Sequence, residues 1–354
     1  MLFGAQDFDN HELVLFGSDK ATGLKAIIAV HDTTMGPACG GCRMWPYATE
    51  EEAVKDVLRL SRGMSYKNVM AGLPLGGGKS VIIGDPKKDK SEALFRAFGR
   101  IVESLGGRYI AAEDVGITVA DVHTMGKETS HVAGLTKGED ASGDPSPFTA
   151  YGVYLGIKAA AQHKLGTDSL KGVRVAVQGL GNVGSHLCRR LHADGAVLLV
   201  SDIYPEAVKR AVDEFGATAV DPAQIHAADV DIFAPCALGA VLSDVTLPQL
   251  KAGIVAGGAN NQLAVDAIGR QLRDMKVLYA PDYVINGGGI INVSAEVTRD
   301  YDKDAVLRKV ERIHGTLLDI FRRADAEDRP TNEIADQMAR ERLAAAKQTR
   351  LAAE

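Results

Sequence analysis

A chain of 354 residues, 46% hydrophobic and 24% charged, has the composition of an ordinary globular protein and the length of about two domains. Its formal charge of −6 and its lack of a basic block argue against nucleic acid or an anionic membrane as a partner. No apolar run approaches the roughly 18 residues that span a bilayer. The N-terminus lacks the basic and apolar regions of a signal peptide, so a cytoplasmic location is expected.

Residues 12–17 and 23–31 read as two strands joined by a turn over Ser18–Thr22. Gly36–Arg43 follows as a glycine-rich strand or loop. It contains Cys39 and Cys42 in a C-x-x-C pair, but a zinc site needs two further ligands at matching spacing. Cys188 and Cys236 stand alone, so neither a metal nor a disulfide framework is expected. Thr49 and Glu52 make a capping box. It opens a helix whose apolar stripe, Ala53, Val54, Val57, Leu58 and Leu60, runs to about Met64, with Lys67 just beyond. Gly72–Ser80 then resembles a phosphate loop without being one. Five residues rather than four separate Gly72 from Gly78-Lys79-Ser80, and Leu73 stands where that motif needs glycine. What remains is Lys79 behind three glycines, a bare stretch of backbone that a ligand could approach, leading into a short strand over Val81–Ile83. A helix from about Ser91 to Leu105 and a strand from Arg108 to Ala112 follow, ending at Glu113-Asp114-Val115-Gly116.

The polar, proline- and glycine-rich run 136–147 marks a domain boundary. The expected division is an N-terminal α/β domain over 1–138 for catalysis and oligomerisation, and a Rossmann-type, doubly wound dinucleotide-binding domain over 139–329. The segment from about 330 to 354 is expected to return to the first domain. A helix from Phe148 to about His163 leads into a βαβ pattern. There the strand Val173–Gln178 is followed by Gly179-Leu180-Gly181-Asn182-Val183-Gly184 and a helix, and the next strand ends at Asp202-Ile203. Asp202 lies 18 residues beyond the last glycine, the context a dinucleotide site requires. Free N–H groups at the helix start favour the pyrophosphate. An acid at the second strand end suits a ribose diol and hence NAD, although Asp202 could instead cap the helix near Pro205. Further strands end at Cys236-Ala237, at Ala259-Asn260-Asn261 and at Pro281-Asp282, and these tips are expected to face the cofactor. Asn286–Gly289 reads as a second hinge.

Lys67, Lys79 and Asp114 form the inventory for amino acid chemistry. Two cationic side chains close together in a dry site disfavour each other's charge, which suits one to general-base work. The other is left to pair with a substrate carboxylate, and a nearby acid passes protons. At this level the chain resembles the Glu/Leu/Phe/Val dehydrogenase family over essentially its whole length, closest to the leucine branch. The resemblance rests on Gly40–Trp45, Met64–Asn68, Leu75–Lys79, Ala112–Gly116, Ala234–Ala237, Gly258–Gln262 and Pro281–Asn286. It implies NAD-dependent, reversible oxidative deamination of an L-amino acid to a 2-oxo acid and ammonia by a homo-oligomer. It further implies that Lys67 binds the α-carboxylate beside Gly40 and Gly41, and that Lys79 activates the water that attacks the imine. Asp114 would shuttle protons, Thr149 would hold the nicotinamide carboxamide, and Asn261 would lie near both. The implied side-chain pocket, Cys39, Met64, Ala112, Ile290 and Val293, is apolar. Cys39 stands where the glutamate branch has a lysine, which disfavours a glutamate substrate. Ala112, where phenylalanine-specific relatives tend to have glycine, narrows the pocket toward leucine, valine or isoleucine, whereas Cys39, smaller than the leucine usual in the leucine branch, leaves room for a larger group. The alternatives are a phenylalanine or tryptophan dehydrogenase of the same family and a non-catalytic NAD-binding sensor.

Overall fold

Apolar residues at every position of Leu24–Val30 except Lys25 make this segment an interior strand of the first sheet, buried on both faces. The structure is a computed structural model that describes residues 2–5, 7–134, 143–237, 239–298 and 301–353. It divides into two units: Met1–Asp144 with Val293–Asp302 and Ala339–Glu354, and Pro145–Asn292 with Lys303–Met338. The boundary expected at 138/139 lies outside the described residues.

In the first unit, β1 (Leu13–Asp19), β2 (Leu24–Asp32), β3 (Ala38–Trp45), β4 (Gly76–Ile83) and β5 (Tyr109–Glu113) form one sheet in the order β1-β2-β4-β3-β5. β2 is antiparallel to β1 and β4, whereas β3 runs parallel to β4 and β5. Helix α1 (Glu50–Met70) covers one face, packing Ala53, Val57 and Leu58 on Ile27, Ala29 and Val81. Helices α2 (Glu92–Glu103) and α3 (Val119–Met125) cover the other, where Phe95, Phe98 and Met125 meet Ile28, Val30 and Ile82. The period of two along a strand therefore sends odd positions of β4 toward α1 and even positions away.

Two expectations change here. Helix α1 runs six residues past Met64, so Lys67 lies in its last turn rather than beyond it. Ser61, Ser65 and Asn68 are buried polar residues on the covered face, and they interrupt the apolar stripe without ending the helix. At its start Thr49 Oγ1 accepts from the Glu52 N–H at 3.2 Å. The Glu52 carboxylate reaches the Ala48 N–H at 3.0 Å instead of that of Thr49.

The second unit opens with α4 (Ser146–Leu165). β6 (Arg174–Gln178), α5 (Asn182–Ala193), β7 (Val197–Ser201), α6 (Pro205–Phe215) and β8 (Thr218–Ala219) wind one way. β9 (Ile232–Pro235), β10 (Ile254–Val255), α7 (Ile268–Asp274) and β11 (Leu278–Tyr279) wind the other. All neighbouring pairs are parallel in the order β11-β10-β9-β6-β7-β8, the doubly wound arrangement whose switch point lies between β6 and β9. After α8 (Asp282–Ile285), helix α9 (Gly288–Val297) starts in this unit and ends in the first. α10 (Lys303–Glu327) and α11 (Thr331–Ala353) complete the chain, and α11 also passes from the second unit to the first. No described helix is long and apolar enough to cross a membrane.

The expected hinge at Asn286–Gly289 is packed. Gly288 and Gly289 are the first residues of α9, and an added Cβ would meet Phe148 O at 2.0 Å and Thr149 Oγ1 at 2.6 Å. These glycines seat α9 on the first turn of α4.

Candidate functional site

Lys79 is an interior position of β4 facing α1, 6% exposed. Its Nζ meets Asp114 Oδ2 at 2.8 Å. Asp114 follows the last residue of β5 in a turn closed by the Ile117 N–H donating to Asp114 O at 2.9 Å. Gly116 completes the turn at φ 78°, where a Cβ would lie 2.2 Å from Met44 O. Only glycine lets this turn dock on the end of β3. Arg43, on β3, donates from Nε to the same Asp114 oxygen at 3.0 Å. Burial alone pushes the Asp114 carboxyl up, but the charges of Lys79 and then Arg43 outweigh it and hold the acid below its usual range. Asp114 is thus a carboxylate between two cations. Neighbouring Glu113 moves the other way, raised by burial and by the charges of Asp144 and Asp114.

The three glycines before Lys79 lie within the strand, and each touches protein. A Cβ would meet Asp32 O at 2.2 Å from Gly76, Ser65 Oγ at 2.0 Å from Gly77 and Tyr109 Cδ2 at 2.7 Å from Gly78. Gly77 therefore draws α1 onto β4, which brings the helix carrying Met64, Ser65 and Lys67 against the strand carrying Lys79. Met64 lies over Gly40, where a Cβ would stand 3.1 Å from Met64 Cγ, and Gly41 faces Asp114 Cβ at 2.7 Å. Ala112 is the partner of Gly41 on β5. Cys39 and Cys42 are fully buried. Burial pushes both thiols up to about 12, with the Glu296 charge adding at Cys39; thiols held neutral in this way are poor nucleophiles. Val293 on α9 is also buried in this unit, whereas Ile290 belongs to the second.

In the second unit the glycine turn sits at the switch point. Gly179 has φ 93°, and a Cβ there would lie 2.7 Å from the Ala237 N at the end of β9. Gly184 is equally tight, since its Cβ would meet Gly179 O at 1.9 Å. Gly181 is the N-cap of α5 with no side chain capping the helix, so the N–H groups of Asn182, Val183 and their neighbours are left to an anion. Asp202 Oδ2 accepts from the Leu180 N–H at 2.6 Å and Oδ1 from the Tyr204 N–H at 2.9 Å. Its carboxylate thus ties the glycine turn to the end of β7. Ile203 beside it is 76% exposed. Cys236 follows β9, its thiol pushed up to about 11 by burial. Beyond β10, Asn261 takes a left-handed backbone at φ 52°. Asn260 Oδ1 accepts from Asn286 Nδ2 at 2.6 Å, and Gln262 Nε2 donates to Gly257 O and Ala259 O at 2.8 and 3.0 Å. Thr149 lies in the first turn of α4, its Oγ1 donating to Pro145 O at 3.1 Å.

The residues expected to carry chemistry thus fall into two groups. Lys67, Lys79, Asp114, Cys39, Gly40, Gly41, Met64, Ala112 and Val293 lie in the first unit, and the glycine turn, Asp202, Cys236, Ala237, Ala259–Asn261, Thr149 and Ile290 lie in the second. Sequence reasoning gave no role to Arg43, Gln262 or Asn286, although each falls inside a stretch that carried the family resemblance. Asp56, which accepts from Arg43, had no signal beyond its place on an amphipathic helix. No described cluster of His, Cys, Asp and Glu could hold a metal ion.

Residues 12–131 match the family model for the Glu/Leu/Phe/Val dehydrogenase dimerisation domain, and residues 142–205 and 201–350 match that for Glutamate/Leucine/Phenylalanine/Valine dehydrogenase. The chain is 56% identical over 342 residues to a leucine dehydrogenase of Geobacillus stearothermophilus, covering 97% of this chain and 93% of that one. It is 48% identical over 344 residues to a valine dehydrogenase of Streptomyces virginiae, covering 96% of each. The crystal structure of L-tryptophan dehydrogenase from Nostoc punctiforme aligns with a TM-score of 0.86 at 48% identity, covering 96% of this chain and 97% of that one.

Proposed function

The chain belongs to the Glu/Leu/Phe/Val dehydrogenase family of amino acid oxidoreductases, and from that premise we propose that it carries out the NAD-dependent, reversible oxidative deamination of a branched-chain aliphatic L-amino acid. The observation that carries the chemistry is the contact at 2.8 Å between buried Lys79 and half-buried Asp114, a base and a proton carrier held together.

Dehydrogenases of this type depend on a dinucleotide. The uncapped start of α5, the tight Gly179–Gly184 turn and Asp202 beside it fit its pyrophosphate and ribose. NAD supplies the acceptor for the hydride that leaves the substrate α-carbon. The chain's own residues do the rest. Lys67 pairs with the α-carboxylate. Asp114 takes a proton from the substrate ammonium before the hydride departs. Lys79, having first released its own proton, then takes one from the water that adds to the imine carbon, and Asp114 returns one to the departing nitrogen. One amino acid, one NAD and one water give one 2-oxo acid, one ammonium, one NADH and one proton.

Substrate choice rests on Cys39, Met64, Ala112 and Val293 of the first unit, none of which bears a charge at neutral pH. A glutamate side chain would bring a second carboxylate beside Cys39, where no lysine replaces the thiol to meet it, a costly arrangement, and Glu296 already raises the Cys39 thiol. One methylene in such a pocket is worth about 1–3 kcal/mol, which leaves leucine, valine and isoleucine close together. Cys39, with its small side chain, also favours a second reading in which an aromatic L-amino acid is accepted. A family model that describes residues 12–131 as a dimerisation domain supports a homo-oligomer. The test is to mix the protein, NAD and single L-amino acids and follow NADH absorbance. Turnover with leucine or valine above phenylalanine and tryptophan supports the proposal, and the reverse order supports the second reading. Silence with every amino acid, in both directions, overturns the enzyme assignment.

A further inference from the structure

Arg43 lies between two carboxylates. Its Nε donates to Asp114 Oδ2 at 3.0 Å and its Nη1 to Asp56 Oδ2 at 2.8 Å. Asp56, on α1, is held in turn by the Tyr47 hydroxyl at 2.7 Å and by Arg59 Nη2 at 3.4 Å. Arg43, Asp56 and Asp114 are all at most 20% exposed. Arg43 thus joins two carboxylates, each of which would be costly to leave without a partner in this largely enclosed setting.

We propose that Arg43 is a positioning residue that clamps Asp114 against Lys79, with Asp56 and Tyr47 fixing the clamp from the opposite side. This rests on the roles proposed above for Lys79 and Asp114. A guanidinium is planar and presents donors along two edges, so carboxylates bonded to Nε and to Nη1 fix its orientation as well as its place. Arg43 and Lys79 meet the same Asp114 oxygen, Oδ2, and the Val115 N–H also bonds the carboxylate, so its orientation is fixed from several sides. The Asp114 side chain projects from a turn rather than from the strand itself. Without Arg43 one anchor is lost, and Lys79 and the Val115 N–H are left to hold the carboxylate against rotation about its side-chain torsions. A misplacement of about 1 Å at such a site costs on the order of a hundredfold in rate.

The experiment is steady-state kinetics on the full chain with NAD and the preferred amino acid, with thermal melting to confirm folding. Arg43→Met is expected to lower kcat by about thirtyfold while both KM values stay within about threefold, the pattern of a residue acting on the chemical step. Arg43→Lys restores part of that loss. Asp56→Asn lowers kcat several-fold in the wild-type background and adds nothing in the Arg43→Met background, because it acts through Arg43. Should Arg43→Met fail to fold, the same cycle is run on Arg43→Gln with the same criteria. A kcat within threefold of wild type, or an Asp56→Asn loss of equal factor in both backgrounds, overturns the clamp. A wild-type chain silent with every amino acid overturns the functional reading and the clamp with it, and is told apart by the wild-type assay alone.

Discussion

Replacing Gly77 with alanine puts a methyl group where α1 already is. The added Cβ would lie 2.0 Å from Ser65 Oγ, 2.1 Å from Ser65 N and 2.5 Å from Ser65 Cα. The hydroxyl could rotate away, but the backbone nitrogen and Cα could not. To restore ordinary contact the helix must retreat from β4 by roughly 1.3 Å at this point. Overpacking of this kind costs about 1–3 kcal/mol and more where backbone is the obstacle, so we expect a loss of about 3 kcal/mol or more. Lys67 lies in the same helix two residues on, and Lys79 in the same strand, so turnover should fall on the order of a hundredfold. Gly63→Ala is the matched control. A Cβ there meets nothing within 4 Å, and alanine in a helix interior is better than glycine by about 0.5–1 kcal/mol. Urea unfolding of both variants, with turnover measured alongside, gives the comparison. A Gly77→Ala protein as stable as the wild type would refute the close-packing account of the glycine run.

Lys79→Ala should lower turnover by roughly a thousandfold, in the range of acid–base catalysis, while NAD affinity persists, because Lys79 and the glycine turn belong to different units; lost affinity in a folded variant would contradict this. His11 is pushed down from 6.5 to about 4 by burial and then by the charge of His31, whose ring centroid is 4.8 Å away. It sits as a neutral ring, with its Nδ1 accepting from the Asp9 N–H. The native state binds this proton less readily than the unfolded chain, so the stabilisation is complete above pH 6.5 and declines as pH falls toward 4. The loss reaches on the order of 2 kcal/mol by about pH 5. Unfolding free energies across that window should flatten in His11→Asn, and an unchanged slope would show that His11 is not its source.

Much of this protein is local in origin and therefore legible along the chain. The turn Gly179–Gly184 between a strand and a helix, the acid at Asp202, and Lys79 and Asp114 beside their glycines are each set within a few residues by backbone conformation and hydrophobic period. The family resemblance added roles to these positions. Tertiary structure decided what local periodicity cannot carry. Arg43 and Asp114 are 71 positions apart, so no periodicity links them, yet parallel pairing of β3 with β5 places them 3.0 Å apart. The strand order that sets Gly179 against Ala237 is likewise a long-range choice. The same holds for the glycines before Lys79. The sequence offered them as a bare surface for a ligand, but α1 occupies that surface at Gly77, because a helix can approach a strand this closely only where no side chain intervenes.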